Sequence, residues 1–318
     1  MFHYQQSGRD LNILSVETSK DSIEQPDLAK DEMMYIPPLG SSVIISGKSG
    51  SGKSTLLQNL LKDGRFYGPS QTRPDGWFDK IFLFSPTANG DDIQRSLDIP
   101  QQHVFTDLDE APELLETILN SQQKKLDKGT GADKVPQFAI IFDDVIGNTR
   151  FMNSKEFTRC FYQVRHVNCT TFICTQHFKR VPRVCRLQAN FVFFFQGSQT
   201  EVETVAEEFA PPGMHKKVFA QFVEETTRER FEFLTVNMKV HSSIRFRRNL
   251  GEVANLPTTG SSNVSPDKIY DDETTDTSNN TVKDTSLNNR SLRNHAKNEP
   301  KTGNFKPQTG STGTRTAR

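Results

Sequence analysis

Apolar positions along the chain fall into short blocks separated by polar, Gly- and Pro-rich stretches, and their spacing predicts alternating strands and helices. Val43 to Ile45 is a β-branched run that reads as a buried strand. Leu56, Leu57, Leu60 and Leu61 follow on one side of a helix that starts near Lys53. A loop rich in Gly and Pro, Asp63 to Gly76, leads to a second strand, Asp79 to Phe84, closed by Ser85-Pro86. After Val104-Phe105, the positions Leu114, Leu115, Ile118 and Leu119 predict a helix to about Lys125, capped by Asp107 or Asp109. Gly129 to Asp133 reads as a loop. Phe138 to Phe142 is wholly apolar, which predicts a strand buried on both faces, and it ends in Asp143-Asp144. Ser154 or Asn153 can cap a helix from Lys155 to about Val164. Thr170 to Cys174 is a further apolar strand with Thr175-Gln176 at its tip. Asn190 to Phe195 is an aromatic strand, Thr200 to Phe209 an acidic helix broken by Pro211-Pro212-Gly213, and Phe231 to Val236 and Ser243 to Phe246 late strands. Their phenylalanines read as core rather than as a base-stacking platform. Strand-helix alternation of this kind predicts an α/β fold with a mainly parallel central sheet.

With 318 residues the chain holds one large α/β domain plus tails. The expected organisation is an N-terminal extension over 1–38, a domain over 39–249 and a tail over 250–318. Pro37-Pro38 stiffens the entry to the domain, and the sequence leaves open whether the extension packs on the domain or on a neighbour. From Asn249 on, Ser, Thr, Asn, Asp and Gly dominate, which predicts disorder. Lys plus Arg and Asp plus Glu number 39 each, so net charge points to no acidic partner, and a nucleic-acid surface requires local clustering. The polar start, Met1 to Asp10, predicts no signal peptide, and no apolar run reaches membrane-spanning length. Cys160, Cys169, Cys174 and Cys185 lack paired zinc-ligand spacing and read as buried, reduced thiols.

The candidate chemistry starts after the first strand. Gly47, Gly52, Lys53 and Ser54 fit the phosphate-loop pattern G-x-x-x-x-G-K-[ST]. Glycines bring backbone N–H groups against phosphate oxygens, and the helix N-terminus adds its positive end. Gly47, Lys48, Ser49, Gly50, Ser51, Gly52, Lys53, Ser54 and Thr55 are therefore the expected ATP cradle, with Lys53 on the β- and γ-phosphates. Ser54 and Asp143 are the expected Mg²⁺ ligands. Asp144 is placed to orient or deprotonate the attacking water, and Gln176 to sense the γ-phosphate. His177 to Arg186 carries four cations and no acid, which makes Lys179, Arg180, Arg183 and Arg186 candidates for phosphate-backbone contacts, while a solvated loop is the alternative.

From Gly40 to Phe209 the chain resembles the poxvirus-type genome-packaging ATPases, a family of large DNA viruses, virophages and Maverick/Polinton elements within the FtsK–HerA superfamily. The resemblance rests on Gly47 to Thr55, Phe82-Leu-Phe-Ser-Pro86, Asp143-Asp144, Arg165-His166 before a strand ending at Gln176, and the Pro182, Arg186, Asn190 spacing. One departure is Asp144, where relatives often carry Glu. The resemblance implies a RecA-like P-loop NTPase, an ATPase working as a homo-oligomeric ring, a hexamer by expectation. It would package double-stranded DNA into a capsid through a capsid protein or portal vertex. The implied location is the host cytoplasm or nucleus at assembly sites, or the virion. Arg165, with Arg186 second, is the implied arginine finger acting in trans. The alternatives are another DNA motor, a small-molecule kinase, for which no arginine-bearing lid separates from the strands, and a virion protein that binds nucleotide without turnover.

Overall fold

The computed structural model describes residues 24–30, 36–88, 92–128 and 134–257, all within the unit Met1–Ser262. The loop expected at 129–133 and the tail beyond 257 lie outside the described residues. In chain order the elements are α1 (Asp27–Lys30), β1 (Ser42–Ser46), α2 (Lys53–Lys62), β2 (Lys80–Phe84), α3 (Asp92–Ser96), β3 (Val104–Phe105) and α4 (Ala111–Asp127). Then come β4 (Phe138–Asp143), α5 (Thr149–Met152), α6 (Lys155–Tyr162), β5 (Cys169–Thr175), α7 (Arg183–Gln188) and β6 (Phe191–Phe195). Last are α8 (Gln199–Phe209), α9 (Lys216–Thr226), β7 (Phe233–Asn237), β8 (Phe246–Arg248) and β9 (Glu252–Val253).

The strands form one sheet in the order β3-β2-β4-β5-β1-β6-β7-β8-β9. β3 through β6 pair in parallel, and β7, β8 and β9 add antiparallel at one side. This is the expected mainly parallel α/β sheet. Strands β1, β4, β5, β6 and β7 are buried on both faces, and alternate residues go to opposite cores. Val43, Ile45, Leu83, Ile141 and Phe172 pack with α2 and Tyr67. Ile44, Ile140, Phe142 and Ile173 pack with α4, α6, α8 and α9. Register brings the strand ends level: Ser46 pairs with Thr175, and Asp143 with Cys174. Thus the phosphate loop, the Asp143-Asp144 corner and Gln176 leave the sheet along one edge.

Several expected boundaries move. Ser154 caps α6 as expected, its hydroxyl accepting the Phe157 N–H at 3.1 Å. Helix α4 instead begins after Glu110, while Asp107 Oδ1 accepts the Asp109 N–H at 2.9 Å and orders the turn before it. Ser242–Ile244 is a 3-10 turn, with the strand starting at Phe246. The sheet also passes the expected limit at Asn249: β9 pairs with β8, and the Ala254 N–H donates to the Phe246 carbonyl at 2.9 Å. The described part of the N-terminal extension packs on the domain. Ala29 and Ile36 are buried with β1, the Leu39 N–H donates to Gln25 Oε1 at 2.6 Å, and the Tyr67 hydroxyl donates to the Pro37 carbonyl.

Candidate nucleotide-binding and active site

The loop between β1 and α2 is held from both sides. The Gly47 N–H donates to the Thr175 carbonyl of β5 at 3.1 Å, and the Lys48 N–H to the Gln196 carbonyl beyond β6 at 3.3 Å. Gly47 is required by close approach, because a Cβ there would lie 2.5 Å from Phe195 Cβ. Gly52 takes φ 104 immediately before α2, a conformation that a side chain would strain. The apolar face of α2, Leu56, Leu57, Leu60 and Leu61, is buried and anchors the loop from below.

A cavity of about 380 Å³ at the carboxyl edge of the sheet is lined by Ser49, Gly50, Lys53, Ser54, Thr87, Asp143, Asp144, Cys174, Thr175 and Gln176. Sequence-predicted residues from three separate segments therefore meet in one place. The Lys53 ammonium donates to the Gly47 and Lys48 carbonyls, each at 2.8 Å. Burial lowers its pKa, and Cys174, Asp143 and Asp144 pull the other way. Asp144 sits in the left-handed region at φ 50, which turns its carboxylate away from the run of β4 into the cavity. Asp is among the few residues that tolerate that conformation, and such backbone outliers cluster at functional sites. Among the described residues no group of three or more His, Cys, Asp or Glu forms a metal cage. Two carboxylates beside a serine hydroxyl suit Mg²⁺ instead, which keeps waters and takes substrate phosphates as ligands. Thr87, which follows Ser85-Pro86, also lines the cavity. Sequence reading missed it because only the sheet order, with β2 beside β4, brings it there.

Other expected residues lie outside this cavity. Arg165 lies at the opposite edge of the sheet: a Cβ on Gly40, which precedes β1, would come 3.1 Å from its Cα. It is exposed, and its Nε donates to His166 Nε2 at 3.0 Å. It does not share the cavity of its own chain. Arg186, expected on DNA and as the second finger candidate, is buried. Its Nη2 lies 2.6 Å from Glu208 Oε1, its Nε 2.9 and 3.0 Å from the two carboxylate oxygens, and its Nη1 donates to the Lys179 carbonyl at 2.8 Å. The acidic helix α8 has taken this cation out of solvent. Lys179, Arg180 and Arg183 keep exposed side chains, although the Lys179 N–H donates to Glu201 Oε2 at 2.9 Å. Phe231, read as the start of a core strand, is 55% exposed beside Gly52. The four cysteines are buried, and burial pushes the Cys185 thiol up to about 12.

A family model described as "Poxvirus A32 protein" matches residues 40–242. The uncharacterized protein 015R of Frog virus 3 (isolate Goorha) is 28% identical over 157 residues, which covers 49% of this chain and 44% of that protein. The uncharacterized protein 088R of Invertebrate iridescent virus 3 is 25% identical over 191 residues, 60% of this chain and 67% of that protein. The match to the frog virus protein thus spans less than half of that relative's length. B204, the DNA-packaging ATPase from Sulfolobus turreted icosahedral virus, is similar with a TM-score of 0.46 at 13% identity, over 66% of this chain and 97% of that one. No helix among the described residues is long and apolar enough to cross a membrane.

Proposed function

The chain belongs to the Poxvirus A32 protein family, and on that premise we propose that it hydrolyses ATP to drive double-stranded DNA into a viral capsid. The observation that carries this reading is the convergence of Lys53, Ser54, Asp143, Asp144 and Gln176 on one cavity inside the family-matched region. The triphosphate lies along Gly47 to Thr55. Lys53 leaves its two carbonyl partners and places its charge between the β- and γ-phosphates. Ser54 and Asp143 would hold Mg²⁺, which would neutralise charge on the phosphate oxygens. Asp144 orients the attacking water and takes its proton. Water oxygen bonds to the γ-phosphorus as the bond to the bridging oxygen of ADP breaks, giving ADP and inorganic phosphate. Gln176 reads whether the γ-phosphate is present.

In this reading the subunits form a ring of hexamer type. Arg165, remote from its own cavity, reaches a neighbour's nucleotide and stabilises the charge spread over the transferring phosphoryl. Lys179, Arg180 and Arg183 hold DNA phosphates without regard to sequence. The capsid end of the motor is a capsid protein or portal vertex at the assembly site in the infected cell.

The test is steady-state ATPase with and without double-stranded DNA for wild type, Lys53→Ala and Asp144→Asn. Loss of preorganised charge at a phosphoryl-transfer site costs on the order of 10²–10³ in kcat. Turnover at the wild-type rate in both variants would refute the assignment.

A further inference from the structure

The triphosphate end of the site is fixed by the side on which the acids lie. Asp143 and Asp144 leave β4, two strands from β1 on the β5 side. A nucleotide with its γ-phosphate there runs back along the loop and projects its base toward the other neighbour of β1, the β6–β7 side. There, α9 descends into β7 through a tight turn, closed by the Glu232 N–H donating to the Glu229 carbonyl at 3.2 Å. The third residue of that turn is Phe231, at φ 70. Turns that need a positive φ at this position take Gly or Asn, and a bulky aromatic there is an outlier. Such strain persists where surrounding structure or function holds it.

Phe231 also breaks the burial rule for its residue type. It is 55% exposed, whereas Phe195 and Phe233 beside it are 2% and 7% exposed. Its Cδ1 would lie 3.3 Å from a Cβ on Gly52, the residue directly before Lys53, so the ring stands against the phosphate loop itself. The Arg230 guanidinium lies over the ring, 4.6 Å from its centroid. An exposed aromatic in a costly conformation thus rims the loop on the side where a base must emerge. A flat apolar ring backed by a cation is the chemistry that takes a nucleobase, since every base presents a π-face.

We propose that Phe231 is the stacking surface for the base of the bound nucleotide, a contact that adds affinity without choosing between purines. The inference rests on the nucleotide-binding reading above. It is tested by calorimetric titration of the full chain with Mg²⁺-ADP and with Mg²⁺-tripolyphosphate, for wild type, Phe231→Gly and Phe231→Tyr. Loss of one aromatic–base stack costs roughly 5- to 140-fold in affinity. Phe231→Gly should weaken ADP by that factor, leave tripolyphosphate unchanged and leave Tm equal or higher, because glycine relieves the turn. Phe231→Tyr should keep ADP affinity. ADP binding of Phe231→Gly at the wild-type level overturns the proposal. So does a parallel loss for both ligands, which would assign the ring to packing on Gly52. A wild-type chain that binds neither ligand would refute the nucleotide reading itself, a result distinct from both.

Discussion

The Arg186–Glu208 ion pair takes one cation of the segment His177 to Arg186 out of solvent and so bears on the proposed DNA contact. Their side chains are 9% and 7% exposed, and the guanidinium meets the carboxylate through both Nε and Nη2. Arg186→Ala leaves Glu208 as a buried carboxylate without its guanidinium and removes the donor to the Lys179 and Val181 carbonyls. Breaking a buried pair from one side costs about 3–5 kcal/mol. At roughly 2–4 °C per kcal/mol for a domain of this size, Tm should fall by about 6–20 °C. Replacing both partners, Arg186→Met with Glu208→Leu, should recover most of that loss, because no charge is left stranded. DNA affinity across a salt series separates this role from DNA binding. Arg186→Ala should leave the slope of log K against log salt unchanged. Lys179→Ala with Arg180→Ala should flatten the slope by about 1.8, at roughly 0.9 per phosphate contact, with Tm nearly constant. An Arg186→Ala chain with unaltered Tm and a slope flatter by about 0.9 would refute the reasoning, since the side chain would then have to leave Glu208 for a phosphate.

Two further outcomes follow from the same geometry. In mixed assemblies, Arg165→Ala subunits should lower the turnover of neighbours that retain Lys53, while Lys53→Ala subunits supply their Arg165 in trans; full activity of Arg165→Ala alone would place the finger elsewhere. The Cys185 thiol is held neutral by burial, its pKa raised from 9.0 to about 12, so its contribution to stability is complete below pH 9 and is lost as pH rises toward 12. The urea midpoint should therefore fall over that window, and a Cys185→Ala chain should show a smaller fall.

The parts legible in the sequence are those where local pattern and tertiary role coincide. The strand before Gly47, the helix after Gly52 and the five apolar residues before Asp143 each carry their own period, and buried parallel strands tolerate little else. Helix α9 was equally regular, with Phe219, Ala220, Phe222, Val223 and Thr226 buried at helical spacing. It follows a Pro-Pro-Gly break and opens on Lys216-Lys217, so its N-terminus lacks an acidic signal. What the sequence could not carry was partner choice. Arg183 and Arg186 stand in one basic window, three residues apart on α7, yet the first is exposed and the second buried against α8. Thr87 reaches the cavity, and Phe231 its place beside Gly52, only through the order of strands, and no local period encodes that order. Phe231 misled for a physical reason: two residues before Phe233 it continues an alternating apolar run, yet it lies in the turn ahead of β7 at a left-handed φ.

The same clamp that buries Arg186 ties the whole basic segment to α8. Gln176 follows β5 at the cavity, and Phe178, two residues on, is buried between the rings of Phe194 and Phe209, with centroids at 6.2 and 6.1 Å. The Lys179 N–H is bound to Glu201 and Arg186 to Glu208, so both ends of the basic segment are fastened to α8. A segment held at three points to a helix cannot absorb a displacement by local flexing. Packed interiors respond by shifting between discrete arrangements rather than by gradual deformation. A change in the contacts of Gln176 as the γ-phosphate leaves would therefore displace Lys179, Arg180 and α8 as one body. On the proposed reading the buried ion pair belongs to the transmission rather than the grip: Arg186→Ala should keep the salt slope yet lose DNA stimulation of ATP turnover, and stimulation at the wild-type level would refute the transmission role.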